Sequence, residues 1–312
     1  MARKRKFKQS RLYAIVAAAV LVFCAVIQIG QYIPSLGIPS WDELFASAGF
    51  SEPSAAPEGE LQVHFIDVGN ADCILIRQGE ASALIDAGER GDGDLILAHL
   101  NSLGVSKLDI VIATHPHADH IGAMAEVVNT LPIGKFVMSF MPESETPTTA
   151  TYLNMLEALD DKQVPVDEAS PGAVYELGTA RLTVLAPLEE SKEENNISVV
   201  TRLTFGERSF LFMGDAETEV EKKLLTDGAV LTADVLKVGH HGSSTSSSYA
   251  FLQRVSPQYA VIPCGVDNSY DHPSDKVLAR LDDLNATIYR ADVHGHIVFT
   301  TDGKKLDVST EK

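Results

Sequence analysis

The sequence predicts an α/β protein built as a four-layer αββα sandwich, preceded by one transmembrane helix. Three observations lead there. A long apolar run lies near the amino terminus, strand-type runs alternate with helical patterns in two successive sets, and a polar "THPHADH" loop directly follows one of those strands.

Residues 1–11 carry Arg3, Lys4, Arg5, Lys6, Lys8 and Arg11 without an acid. Subtracting this +6 from the formal charge of −18 leaves −24 on the remainder. Leu12–Ile29 follows, interrupted only by Gln28; at 1.5 Å per residue it reaches roughly 27 Å, close to the hydrocarbon thickness of a bilayer. The membrane segment is assigned to 12–33, and the positive flank marks the cytoplasmic side, so the bulk of the chain is expected outside the cell. "ASA" at 46–48 fits a signal-cleavage site chemically but lies far beyond Ile29, and an uncleaved signal anchor is favoured. Residues 34–60, rich in Pro, Gly, Ser and Ala, read as a tether.

The folded domain is expected over 61–312. "LQVHFIDV", "DCILIRQ" and "SALIDAG" read as three short strands with intervening turns. A helix over Leu95–Leu103 and the strand "LDIVIAT" lead to the histidine loop. Beyond it come a helix at Ala123–Leu131, a strand at Lys135–Met141 and a polar stretch, 142–172, which reads as a lid or surface excursion with one helix near Tyr152–Leu159. The second set has strands at "ARLTVLAP", "ISVVTRLTFG" and "RSFLFMGD", a helix over Glu217–Leu225, strands at "ADVLKVG" and "YAVIPCG", a helix at Ser274–Leu284 and the strand "HGHIVFTTDG". Two sets of sheet and helix suggest two face-to-face sheets with helices outside. Cys73 and Cys264 read as small buried hydrophobes rather than a disulfide pair.

His115, His117, Asp119 and His120 fall within six positions. A solvated polar turn is the ordinary alternative, but three imidazoles and a carboxylate at a strand end favour a cradle for zinc, manganese or iron. Asp215, after the strand "FLFMG", is a ligand candidate or else a helix cap. His240 and His241 sit at another strand end; His240 is preferred, and His241 remains open.

These segments resemble the His-x-His-x-Asp-His pattern of the metallo-β-lactamase superfamily, and "HFIDVGNADCILI", "LIDAG", "THPHADHIGA", "NNISVV", "GDAE", "LKVGHHGSS" and "NSYDHP" resemble its ComEC-like branch, the DNA internalisation-related competence proteins. The resemblance spans Leu61 to Val308. It implies the αββα fold and two divalent metal ions, zinc or manganese. His115 and His117 would hold one ion, Asp119 and His120 the other, with Asp215 at the bridging position and His240 among the ligands. Two departures stand out. No histidine occurs between His120 and His240, only Asn195 and Asn196, which leaves the first ion short of a ligand; and Asn70-Ala71-Asp72 replaces the branch's Gln-Gly-Asp.

Asp119, Asp215 and His272 are the expected catalytic residues; His272 would position substrate, protonate a leaving oxygen or complete the metal shell. Asn196, Asn268, Tyr270 and Ser243 are further candidates for metal or substrate contact. His64, His99, His294 and His296 do not cluster with the motif and read as structural, while Asp67, Asp72 and Asp86 read as turn caps beneath the site. The expected activity is hydrolysis by a metal-bridged hydroxide, with nucleic acid or another phosphodiester as partner and the membrane held through the N-terminal helix. A smaller phosphodiester, lactone or thioester is the alternative, then a non-catalytic binding module. The charge of −24 opposes general DNA binding, since such proteins usually present Lys and Arg to phosphates; Lys135, Lys237, Arg254 and Arg290 are the scattered candidates for a basic patch.

Overall fold

A computed structural model describes residues 59–139, 141, 146–188 and 191–312. The basic tail, the apolar run and nearly all of the tether lie outside the described residues. Among the described residues, no helix is long and apolar enough to cross a membrane.

Strands β1 (Leu61–Phe65), β2 (Ile74–Gln78) and β3 (Ala81–Ile85) form an antiparallel ladder. Helix α1 (Gly93–Ser102) then carries the chain to β4 (Ile110–Ala113), which pairs in parallel with β3. A four-residue helix α2 (Ala118–Ile121), α3 (Met124–Thr130), β5 (Phe136–Met138), α4 (Ala150–Asp161) and β6 (Val166–Glu168) complete this half, with β4, β5 and β6 parallel.

The second half opens with an antiparallel meander of β7 (Val174–Leu177), β8 (Ala180–Ala186), β9 (Val200–Phe205) and β10 (Arg208–Phe212). Helices α5 (Thr218–Thr226), α6 (Tyr249–Val255) and α7 (Asp275–Asp283) alternate with the parallel strands β11 (Val235–Lys237), β12 (Tyr259–Ile262) and β13 (Thr287–Arg290). After the short α8 (Ala291–His294), β14 (Ile297–Thr301) returns to pair with β1, and β15 (Leu306–Thr310) closes that edge. The sheets run β15-β14-β1-β2-β3-β4-β5-β6 and β13-β12-β11-β10-β9-β8-β7.

Side-chain alternation builds the layers. Val63, Ile74, Ile76, Ile85, Ile112, Phe210, Phe212, Val235 and Val261 meet between the sheets. Their neighbours Leu75, Leu84 and Val111 face α1, α3 and α4, whereas Leu211, Leu236 and Ala260 face the helices of the second half. Each sheet thus buries both faces, which accounts for the near-continuous apolar runs of the central strands. The αββα arrangement expected from the sequence is the one observed.

The differences lie at the edges. The stretch 142–172 contributes more than an excursion, because β6 extends the first sheet through a parallel pairing with β5. β7, β13, β15 and α6 were also not anticipated. Val174–Leu177 and Leu306–Thr310 are largely exposed and mix charges with apolar residues, so period-2 alternation is weak there; backbone pairing to a neighbour defines them.

Candidate metal centre

In an open α/β sheet, loops at the carboxyl ends of parallel strands are where ligands gather. Here β3 delivers Asp86, β4 delivers His115–His120, β10 delivers Asp215, β11 delivers His240 and His241, and β12 leads to His272. The tips are tied together: Val199 N–H donates to Thr114 O (2.9 Å), and Asp215 N–H to Ser198 Oγ (3.1 Å). Gly214 turns at φ 52° with its α-carbon against Thr114 and Ser198; a Cβ there would stand 3.0 Å from Thr114 Cβ.

Asp215 lies at the centre. Its Oδ1 is 3.3 Å from His120 Nε2 and 3.7 Å from Lys237 Nζ; its Oδ2 is 3.6 Å from His241 Nε2, 3.7 Å from His240 Nε2 and 4.0 Å from His115 Nε2. The helix-cap alternative does not hold, because Glu217 occupies the N-cap position of α5. Asp119, His120, Asp215 and His241 each present one ligand atom, and these four atoms all lie within 4.8 Å of one another.

The tandem histidines divide the roles differently from the expectation. Consecutive left-handed residues, φ 49° at His240 and 48° at His241, turn the two rings apart. His241 is buried and uses Nδ1 on Pro263 O (2.9 Å), which leaves Nε2 toward Asp119 Oδ2 (3.6 Å) and Asp215. His241, not His240, therefore joins the tight group. His240 is half-buried, with Nδ1 3.2 Å from Glu217 Oε1 and near Asn195 and Thr245. Its Nε2, like those of His115 and His241, faces Asp215 Oδ2. His115 Nε2 meets His117 Nδ1 at 3.0 Å, and His117 Nε2 reaches Glu194 Oε2 at 2.8 Å.

Beneath this group lies a second, buried layer of Asp72, Asp86 and Lys237, where the sequence suggests turn caps for the two aspartates. Asp67 does cap a turn, accepting from Gly69 N–H at 3.2 Å. Asp86 instead accepts from Thr114 N–H (2.8 Å) and Thr114 Oγ1 (2.7 Å), and its Oδ2 holds His120 Nδ1 at 2.8 Å, so that His120 Nε2 faces Asp215. Asp72 is ion-paired to Lys237, whose ammonium also donates to Gly214 O (2.8 Å). Lys237 is thus no part of a basic surface patch. The signal was present: in "DVLKVG" strict alternation puts Lys237 on the inward face with Val235.

Other assignments shift as well. Asn196 spends its side chain on α5, accepting from Glu217 N–H (3.1 Å) and donating to Glu219 (3.4 Å), and it is Asn195 that approaches His240. Ser243 Oγ pairs with Thr245 Oγ1 at 3.0 Å. Asn268 accepts from His272 N–H (3.0 Å) and donates to His272 O (2.6 Å), which clamps the loop. His272 contacts His240 edge-to-face, with ring centroids 5.6 Å apart, and Tyr270 stacks on it at 5.6 Å. Glu221, not anticipated, is buried in α5 and accepts backbone N–H groups of Ser247 and Ser248, anchoring the serine loop. His64, His99 and His296 lie apart from the centre but touch one another, His64–His99 at 5.6 Å and His99–His296 at 4.8 Å. Cys73 and Cys264 are buried free thiols, as expected.

The electrostatics are those of a site that attracts cations. Burial opposes charge on His120, but Asp215 and Asp86 outweigh it and raise its pKa well above the usual value. His241 is raised too, against burial, by Asp215 and Asp119. Despite burial, Asp215 is held well below the ordinary carboxylate range by His120 and His241, and Asp119 is lowered by His241 and His120. His115, further from the carboxylates, is pushed well down by burial and by His120. Among the described residues, His120 Nε2, Asp215 Oδ1 and His241 Nε2 are buried without a hydrogen-bond partner. Three buried ligand atoms gathered at one spot, with ion-pair contacts of 3.3–3.7 Å but no hydrogen bond, are costly in a dry interior unless a cation completes them. The residues fit a divalent ion.

A two-sheet sandwich with an Asp/His cluster at its strand tips defines a metallo-hydrolase fold with a set of residues able to bind metal. The chain belongs to the Metallo-beta-lactamase superfamily, whose sequence pattern matches residues 66–266. It is similar to ComE operon protein 3 of Bacillus subtilis (strain 168), 28% identical over 90% of this chain and 39% of the relative. It is also similar to Competence protein ComA of Neisseria gonorrhoeae, 30% identical over 92% of this chain and 40% of the relative. These relatives support the ComEC-like branch, and the chain spans about two fifths of their length. Among solved structures, CmlA, a diiron beta-hydroxylase from Streptomyces venezuelae, shares the fold with a TM-score of 0.54 at 17% identity, covering 77% of this chain and 54% of that one.

Proposed function

We propose that this protein is a membrane-anchored, exported, metal-dependent phosphodiesterase that cleaves nucleic acid. The observation that carries the reading is the convergence of Asp119, His120, Asp215 and His241, three of whose ligand atoms are buried without a hydrogen bond among the described residues. These four residues would hold one divalent ion, zinc or manganese; His115, His117 and His240 would hold a second, with His115 and His240 at 4.0 and 3.7 Å from Asp215 Oδ2. Divalent ions bound there would lower the pKa of an adjacent water toward ~7 and offset charge on a phosphoryl oxygen.

The chain's own residues supply position and proton control. Asp86 and Pro263 O engage the Nδ1 atoms of His120 and His241, so each ring turns Nε2 inward. Lys237 neutralises Asp72 and lies 3.7 Å from Asp215, which limits carboxylate repulsion under the site. At the rim, burial and then His240 and His241 lower the pKa of His272, which favours the neutral ring. A neutral imidazole carries one N–H and one lone pair, and it can hydrogen-bond a phosphoryl or leaving oxygen.

One observation favours a short or small diester over long duplex DNA. Besides the chain's acidity, Lys135 is ion-paired to Asp167 and Arg290 to Asp292, both at 2.6 Å, and Lys237 is buried. Three of the four candidate phosphate-binding cations are therefore engaged. The test is a cleavage assay of the full chain with single-stranded DNA, duplex DNA and small chromogenic diesters, in added manganese, magnesium or zinc, beside elemental analysis. Hydrolysis that requires metal and is abolished in Asp215→Ala is expected. Turnover of small diesters without any cleavage of DNA would replace nucleic acid with a small substrate.

A further inference from the structure

Beside the metal centre opens a cavity of about 230 Å³ lined by Ser243, Ser244, Tyr270, Asp271, His272 and Ser274, among others. It adjoins the candidate centre through side chains: Tyr270 stacks on His272 with an interplanar angle of 23°, and His272 abuts His240, whose Nε2 is 3.7 Å from Asp215. Tyr270 is 69% exposed. A tyrosine that leaves so much of its ring in water makes little use of its apolar area within the fold, whereas exposed rings beside phosphodiester sites serve as platforms for bases. Its backing is rigid, because Asn268 clamps His272 through both N–H and C=O.

The polar wall indicates which part of a substrate belongs here. Asp271 and Asp275 put two carboxylates on the same cavity, and carboxylates repel a phosphate but accept hydrogen bonds from the exocyclic amines of bases. The serine hydroxyls can bond to either partner type. A phosphate would thus remain on the His240–His241 side while its neighbouring base enters the pocket.

We infer that the cavity between Tyr270, His272 and Ser243 is a nucleobase subsite, in which the exposed Tyr270 ring stacks on the base of the nucleotide adjoining the scissile phosphate. This rests on the phosphodiesterase reading and extends it to substrate class: a single-stranded, base-bearing diester. Tyr270 lies outside the tight ligand group, so its contribution is separable from metal binding.

The probe is a short single-stranded oligodeoxyadenylate and its abasic counterpart of equal length, titrated in chelator against the full chain. In the parent, removal of the bases is expected to weaken binding about tenfold or more. Tyr270→Ala should bind the adenylate strand as weakly as the parent binds the abasic one, with little further loss on base removal, while Tyr270→Phe keeps the parent's discrimination. Equal parental affinity for both strands, or intact base discrimination in Tyr270→Ala, overturns the subsite. Metal-loaded cleavage of the abasic strand reads the phosphodiesterase proposal alone: cleavage there with no base discrimination rejects only the subsite, and failure to bind or cleave either strand rejects both.

Discussion

The ammonium of Lys237 is ion-paired to the carboxylate of Asp72 with both side chains almost wholly removed from solvent. Burial lowers a lysine's pKa, yet Asp72 and then Asp215 more than compensate, and Lys237 is raised above its usual value. The site is thus built on a fixed internal cation, and any divalent ion above it meets a carboxylate layer already partly neutralised.

Lys237→Met is expected to destabilise the metal-stripped chain by about 3–5 kcal/mol, because it strands a buried Asp72 carboxylate. The double variant Lys237→Met with Asp72→Asn should regain at least half of that loss. Urea unfolding of the three chains measures it, and a single variant within about 1 kcal/mol of the parent would show that the pair is not what stabilises this layer.

The tandem histidines should separate by metal affinity. His241→Ala removes a member of the four-atom group and is expected to lower affinity for the tightly held ion by more than about 100-fold; His240→Ala should leave that ion in place. Chelator competition followed by elemental analysis distinguishes them, and a larger loss in His240→Ala would reverse the assignment.

Asp86 touches no substrate; it orients His120. Asp86→Ala should reduce metal affinity by ~10–100-fold, as removal of a partner behind a ligand histidine commonly does. Because a merely structural defect would also lower stability, the decisive readout is metal affinity in the folded fraction, with circular dichroism confirming the fold. Unchanged affinity there would remove Asp86 from the positioning role.

Acid sensitivity is expected from His64, away from the metal centre. Burial first, then His99, lowers its pKa from 6.5 to about 4. The unfolded chain therefore binds more protons than the folded one between those values, and stability falls as pH drops from 6.5 toward 4, by up to ~3 kcal/mol. Above 6.5 this residue makes no pH-dependent contribution. His64→Leu should flatten that window in denaturant titrations of metal-stripped protein at neutral and acidic pH; an identical slope in parent and variant would exonerate His64.

Much of the architecture was legible because it depends on local periodicity. Short apolar runs such as "LQVHF", "ILIRQ" and "RSFLF", bounded by turns, mark strands buried on both faces. The strand-end positions of His115–His120, Asp215 and the His240–His241 pair followed from the same reading. Edge strands such as β7 and β15 escaped it, since their largely exposed residues mix charged and apolar types, and hydrogen bonds to the adjoining strands β8 and β14 define them.

The sequence by itself determined the sandwich, the ligand types and the loops that carry them, because residue type and 2- or 3.6-residue periods are properties of neighbouring positions. Only the tertiary structure decided that His241 rather than His240 turns inward, that Asn195 rather than Asn196 approaches the histidines, and that Lys237 lies beneath the centre. Those outcomes depend on two left-handed residues, on the distant Pro263 carbonyl and on Asp72, whose positions no local pattern specifies.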